Sequence, residues 1–204
     1  KEKLDRIFAK VRNLGSVNRF RSIIEQEFHT VDPDTIAQLK RVEESVTSSS
    51  SLYITAPTGT VKTNLGQAIH RSKNDNLQKY IHVNCAAIPV DLIESELFGT
   101  RKGAFTGATE KEGKLVEANG GTLHLDEVGA MPKGLQEKLL LVLDDGFVTP
   151  VGGNNRHAVK TSFQLISSTC ESLEEKVAKG HFREDLFYRI MGVHVHLKPL
   201  RERQ

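Results

Sequence analysis

The chain has 204 residues, 38% apolar and 26% charged, enough for one full core with a short extension and unlike a disordered tail. Its formal charge of +2, its lack of Trp and its 6% aromatic content exclude a basic nucleic-acid surface or a base-stacking platform as the main device. The longest apolar run is far shorter than a membrane span and no signal-peptide pattern opens the chain. Cys85 and Cys170, far apart and in no Cys-x-x-Cys frame, read as reduced thiols of a cytoplasmic protein. The abrupt ends, Lys1 without an initiator Met and a charged stretch closing at Gln204, suggest a piece of a larger protein.

Residues 1–30 are amphipathic. Leu4, Ile7, Phe8 and Val11 recur at helical spacing, as do Phe20, Ile23, Ile24 and Phe28, and Gly15-Ser16 between them predicts two helices. This stretch reads either as helices packed on the domain edge or as a signalling linker from an upstream sensor. Asp32-Pro33-Asp34 marks the next helix start, with Ile36, Leu39, Val42 and Val46 on one face and residues 48–51 as a polar connector.

From there the chain alternates. Residues 52–55 predict a buried strand, then a glycine-containing loop and a helix through Leu65, Ala68 and Ile69. Residues 80–83 predict a second strand, 89–98 a helix stopped by Gly99, and 115–118 the end of a short helix. Residues 122–125 predict a third strand. Pro132 opens a helix carrying Leu135, Leu139, Leu140 and Leu143. Residues 163–167 and 193–197 predict the fourth and fifth strands. Strands separated by helices predict a parallel sheet covered on both faces, an α/β fold with the ligand at the carboxyl ends of strands.

The chemistry lies at two such ends. Ala56-Pro57-Thr58-Gly59-Thr60-Val61-Lys62-Thr63 follows the phosphate-loop form Gly-x-x-x-x-Gly-Lys-Ser/Thr, with Ala56 and Val61 in place of both glycines. In such loops backbone N–H groups cradle phosphate oxygens, the lysine reaches the outer phosphates and the hydroxyl ligates Mg²⁺. Val61 is the serious departure, because a β-branched residue suits neither close approach nor positive φ. Asp126-Glu127 closes the third strand. Asp126 is placed to hold Mg²⁺ through its water shell and Glu127 to polarise water as a general base, although an acidic helix cap would read the same way. Thr58, Gly59, Thr60, Lys62, Thr63 and Asp126 are the residues assigned to the nucleotide, with Thr63 and Asp126 facing its metal.

Between these halves stand Gly103, Ala104, Phe105, Thr106, Gly107 and Ala108. A flexible loop with one exposed aromatic adds nothing to a core; beside a nucleotide site it reads as a part that moves when the nucleotide changes. With this GAFTGA motif, Glu96-Leu97-Phe98-Gly99, Glu112-Gly113, Gly120-Gly121-Thr122-Leu123, Phe182-Arg183-Glu184-Asp185-Leu186 and Pro199-Leu200-Arg201-Glu202-Arg203, the chain closely resembles the AAA+ ATPase domain of bacterial sigma-54-dependent transcription activators, the NtrC-like enhancer-binding proteins. The resemblance runs from about residue 34 to Arg203.

It implies a P-loop AAA+ three-layer sandwich over residues 31–204, with a five-stranded, mainly parallel sheet and the helical lid missing. It also implies ATP with Mg²⁺ as cofactors, a hexameric ring, and a function in remodelling RNA polymerase that holds the sigma-54 factor. Residues 103–108 would contact that factor, with Phe105 and Thr106 at the tip and Gly103 and Gly107 as hinges. Asn84 would restrain Glu127, Thr169 would join the nucleotide residues, Arg183 and Arg189 would be arginine fingers for a neighbour's site, and residues 144–153 would form a second loop supporting the first. Read without the resemblance, Asn84 suits a turn cap, and Arg183 and Arg189 suit surface pairs with Glu184 or Asp185. Cys170 stands where the family's first sensor usually has Asn, Pro57 where it has an acid, and Thr100-Arg101 where it has His-Glu. The rival reading is therefore a docking or regulatory module that does not turn over ATP. His194-x-His196 would place two imidazoles on one side of a strand, without an evident third ligand for a metal.

Overall fold

The computed structural model describes residues 2–28, 30, 32–48, 50–57, 59, 61–73, 79–199 and 202, with side chains from Leu14 onward. The helices are α1 (Glu2–Glu27), α2 (Pro33–Ser48), α3 (Lys62–Ser72), α4 (Val90–Phe98), α5 (Lys114–Glu117), α6 (Lys133–Asp145), α7 (Leu173–Ala178) and α8 (Glu184–Ile190). The strands are β1 (Leu52–Thr55), β2 (Tyr80–Asn84), β3 (Gly99–Thr100), β4 (Lys111–Glu112), β5 (Thr122–Asp126), β6 (Phe147–Val148), β7 (Val159–Lys160), β8 (Gln164–Thr169) and β9 (Val193–His196).

Five strands form one sheet in the order β2-β5-β8-β1-β9. Every pairing in it is parallel, with Leu52 opposite Ile166 and Leu123 opposite Leu165. Alternation along β1 sorts the core into two layers. Leu52 and Ile54 pack with Phe20, Val42, Leu65 and Ile69 of α1–α3 on one face. Tyr53 packs with Leu97, Leu139, Leu173 and Phe187 of α4 and α6–α8 on the other. The product is the expected α/β three-layer sandwich.

Two details differ from the sequence expectation. The break at Gly15-Ser16 is absent, and α1 is one helix of 26 residues. A glycine in a helix costs only about 1 kcal/mol, and here tertiary contacts outweigh it. Ser16 and Val17 are buried, and Arg19 reaches both Ser16 Oγ at 3.2 Å and the Ser72 carbonyl of α3 at 2.8 Å. The side chains of Leu4, Ile7, Phe8 and Val11 lie outside the described residues. Of the four residues on the predicted face of α2, Leu39, Val42 and Val46 are buried and Ile36 is exposed. Asp32 caps α2 as expected, its Oδ2 accepting from the Thr35 N–H at 2.7 Å and hydroxyl at 2.6 Å.

Candidate functional site

The carboxyl ends of β1, β5 and β8 lie together, because β8 sits between the other two strands. They open into a cleft of about 820 Å³ lined by Gly59, Val61, Lys62, Thr63, Asn84, Asp126, Glu127 and Cys170, a size suited to a small organic ligand. Thr58 and Thr60 lie outside the described residues.

Val61 is the first residue to explain. It is the N-cap of α3 at φ 56°, ψ 25°, in the left-handed region that normally calls for glycine. Val61 therefore puts a β-branched residue in the conformation that a phosphate loop reserves for glycine. Gly59 has φ 81°, and a Cβ there would meet nothing within 4 Å, so the cradle is clear on that side. Across the cleft, Glu127 is the only other described non-glycine residue at positive φ, at 50°.

Lys62 is 7% exposed, and its Nζ lies 2.9 Å from Glu127 Oε1 and 3.2 Å from the Ala56 carbonyl. Glu127 Oε2 accepts from the Cys170 N–H at 3.0 Å. Burial would raise the Glu127 pKa, but the bonds from Lys62 and Cys170 outweigh it and hold the group ionised. The lysine and the acid that the sequence assigns to nucleotide and water are thus paired with each other.

Asp126 is anchored from behind. Its Oδ1 accepts from the Ser168 hydroxyl at 2.6 Å and from the Glu127 N–H at 3.1 Å, and His82 Nε2 lies 3.8 Å from Oδ2. Burial opposes its charge, yet the adjacent His82 imidazole, the bond from Ser168 and the nearness of His124 and Lys62 carry its pKa below the usual carboxylate range. Ser168 in turn meets His124 Nε2 at 2.7 Å, and His124 Nδ1 meets the Tyr80 hydroxyl at 2.7 Å. None of Tyr80, His82, His124 or Ser168 was singled out from sequence. The available signal was His124 two residues before Asp126 on one strand face; the partners come from neighbouring strands.

Among the described residues no group of three or more His, Cys, Asp or Glu could hold a metal ion. A cation here would depend on phosphate oxygens beside Thr63 and Asp126, the arrangement Mg²⁺ ordinarily adopts. His194 and His196 do face one side, but both are engaged by Thr55 Oγ1, at 2.9 and 3.0 Å.

Four assigned residues, Asn84, Thr169, Arg183 and Arg189, are held by partners within the chain. Asn84 lines the cleft, but its Oδ1 caps the following turn by accepting from the Ala86 and Ala87 N–H groups at 2.9 and 3.2 Å; Glu127 is held by Lys62 and Cys170 instead. Thr169 is fully buried outside the cleft lining, with its Oγ1 accepting from the Glu171 N–H at 3.1 Å. Cys170, one residue on, occupies the cleft. Arg183 and Arg189 do not line this chain's cleft. Arg183 forks onto Asp185 at 2.8 and 3.0 Å, and Arg189 pairs with Asp144 at 2.9 Å and donates to the Leu143 carbonyl.

The loop at 103–108 lies between β3 and β4. Gly103 and Gly107 have φ 83° and 81°, and Phe105 is 54% exposed, an apolar ring presented to solvent. The segment at 144–153 supports its base. Arg101 N–H donates to the Val151 carbonyl and Val151 N–H to the Gly99 carbonyl, both at 3.0 Å. A Cβ on Gly152 would fall 2.6 Å from that of Ala104.

A parallel sheet with a strand–loop–helix phosphate cradle, faced by an acid pair across one intervening strand, defines a P-loop AAA+ domain. More narrowly, the chain belongs to the sigma-54 interaction domain family, whose model matches residues 29–196. It is 49% identical to the DNA-binding transcriptional regulator NtrC of Escherichia coli K12 over 158 residues, covering 77% of this chain and 33% of that protein. It is 40% identical to a signal-transduction and transcriptional-control protein of Clostridium beijerinckii over 207 residues, covering 97% of this chain and 32% of that one. The structure of NtrX from Brucella abortus in complex with ATP is similar at TM-score 0.76 and 37% identity, covering 87% of this chain and 40% of that chain. The chain thus spans about a third of the length of these curated relatives.

Proposed function

We propose that this chain is the nucleotide-driven domain of a transcriptional activator that remodels sigma-54 RNA polymerase. One observation carries the reading: Lys62, Thr63, Asp126 and Glu127 converge on one cleft while a glycine-jointed loop with an exposed Phe105 stands apart from the core. The family match to a sigma-54 interaction domain and the ATP complex of the similar NtrX support it.

In this reading Thr58, Gly59 and Thr60 cradle phosphates with their N–H groups, and Lys62 turns from Glu127 to the outer phosphates. Thr63 and Asp126 hold Mg²⁺, which supplies charge neutralisation at the phosphates. Glu127, once released, orients water. Asn84 gates that release by exchanging its turn cap for Glu127, and Arg183 and Arg189 serve an adjoining subunit of a hexameric ring after leaving their own carboxylate partners. Residues 103–108 meet the sigma factor, and DNA would be reached only through other parts of the protein. No described helix is long and apolar enough to cross a membrane, in keeping with work in the cytoplasm.

A second reading, a sigma-factor docking module that does not hydrolyse ATP, is favoured by the Lys62–Glu127 pair and by Cys170 at a sensor position. Titration of the domain with Mg-ATP, followed by turnover assays of the parent and of Glu127→Gln, separates the two. Turnover abolished by Glu127→Gln supports the motor. Binding without turnover, with turnover gained in Val61→Gly, supports the docking module. Absence of nucleotide binding, together with sigma-factor binding unaffected by Thr106→Ala, overturns both.

A further inference from the structure

The polar chain behind Asp126 has one consistent set of proton positions. The carboxylate only accepts, so the Ser168 hydroxyl donates its single proton to Asp126 Oδ1. Ser168 Oγ must then accept from His124 Nε2, 2.7 Å away. His124 is fully buried, which disfavours the imidazolium, so its Nδ1 carries no proton and accepts from the Tyr80 hydroxyl at 2.7 Å. Every donor points toward the carboxylate, from Tyr80 of β2 through His124 of β5 and Ser168 of β8.

Helix α3 closes on this line. A Cβ placed on Gly66 would fall 2.7 Å from His124 Nδ1 and 2.8 Å from the Tyr80 oxygen, so only a glycine lets the phosphate-loop helix rest on that bond. The helix that begins with Lys62 and the strand that ends with Asp126 are thereby referenced to one polar contact.

We infer that Ser168, held by His124 and Tyr80, is a positioning residue that fixes the rotation of the Asp126 carboxylate for its metal. Oδ1 is occupied by Ser168 and the Glu127 N–H, while Oδ2 has only His82 Nε2 at 3.8 Å, beyond hydrogen-bond range, and is left for the ion's water shell. A carboxylate left to rotate would give up that alignment. Outer-shell partners of this kind typically account for about 10–100-fold in metal affinity.

The inference rests on the nucleotide-site reading above, and the experiment keeps the two apart. Binding of a non-hydrolysable ATP analogue is measured by calorimetry with Mg²⁺ and with EDTA, in the parent, Ser168→Ala, Ser168→Thr and Gly66→Ala. The expected result is that Mg²⁺ tightens binding in the parent, that Ser168→Ala and Gly66→Ala lose about tenfold or more of that gain with little change in EDTA, and that Ser168→Thr recovers it. Should Ser168→Ala fail to fold, Gly66→Ala reads the same line from the helix side. A folded Ser168→Ala or Gly66→Ala with the full Mg²⁺ gain overturns the positioning role alone. A parent with no Mg²⁺ gain overturns the metal reading of Asp126 and the inference with it. Independently of nucleotide, ¹⁵N spectra of the parent should show His124 as the neutral Nε2–H tautomer, and an Nδ1–H tautomer would refute the chain.

Discussion

Replacing Val61 separates strain borne in folding from strain borne in binding. A non-glycine residue in the left-handed region costs about 1–3 kcal/mol, and Val61 holds that conformation at φ 56°. Glycine would relieve this, but its freer unfolded chain costs about 0.5–1 kcal/mol. The Val61 side chain also packs partly against the α1–α3 core, and losing it costs about 1 kcal/mol for partial burial. The sum lies between about −1 and +1.5 kcal/mol, a shift of no more than about 6 °C in Tm for a domain of this size. Val61→Ala loses the same packing and keeps a Cβ in the strained region, so it should fall below Val61→Gly by about 1 kcal/mol. This inverts the usual advantage of alanine over glycine, and urea unfolding of the three proteins reads it directly. The strained conformation is already present without ligand, so nucleotide affinity in Val61→Gly should change by less than about tenfold, or 1.4 kcal/mol. An alanine variant as stable as the glycine variant would refute the left-handed assignment. A hundredfold tighter affinity would show that the loop deforms on binding after all.

Glu127→Gln should tighten ATP binding by about tenfold while removing any turnover, because Lys62 is released from a charge-assisted bond worth about 1.5–3 kcal/mol; unchanged or weaker affinity by calorimetry would contradict the self-pairing. Gly152→Ala should impair sigma-factor binding although residue 152 lies outside the contact loop, because its Cβ would collide with Ala104 at 2.6 Å; wild-type binding in a pull-down would remove the supporting role. Burial and the neighbouring His82 lower the pKa of His124 to about 3, against about 6.5 in the unfolded chain. With the folded value depressed, this stability is fully present above about pH 6.5 and is lost as the pH falls through the window toward 3. The parent should therefore lose about 2 kcal/mol from this group between pH 7 and pH 5. Urea midpoints should show a shallower pH slope in His124→Gln, and an equal slope would refute the assignment.

What could be read from sequence was whatever period and motif spacing encode. The five core strands fell where apolar runs alternate with helical patterns, and Lys62, Thr63, Asp126 and Glu127 came together because parallel strands share a carboxyl edge. What could not be read depended on contacts between distant residues. The continuity of α1 through Gly15 rests on Arg19 meeting Ser72, 53 positions away. Thr169 is read from sequence as a nucleotide residue, but successive strand side chains face opposite ways, and it is Thr169 that is buried while Cys170 lines the cleft. The link from Tyr80 through His124 and Ser168 to Asp126 crosses three strands whose order no local pattern announces.

In the proposed reading, the same order offers a route by which a change at the cleft would reach the loop at 103–108. Asn84 ends β2 beside Asp126 and fixes the turn that leads into α4. That helix of nine residues is about 13 Å long and ends at Gly99, where φ is 81° and a Cβ would meet the Lys111 carbonyl at 2.4 Å. The backbone is therefore clamped at the root of the loop and free at its glycine joints. Val151 bonds the same root from the other side, so residues 144–153 must follow any tilt of α4. Displacing Asn84 from its turn would thus move a rigid rod, its clamp and its support together, leaving Gly103 and Gly107 as the places where the motion is taken up.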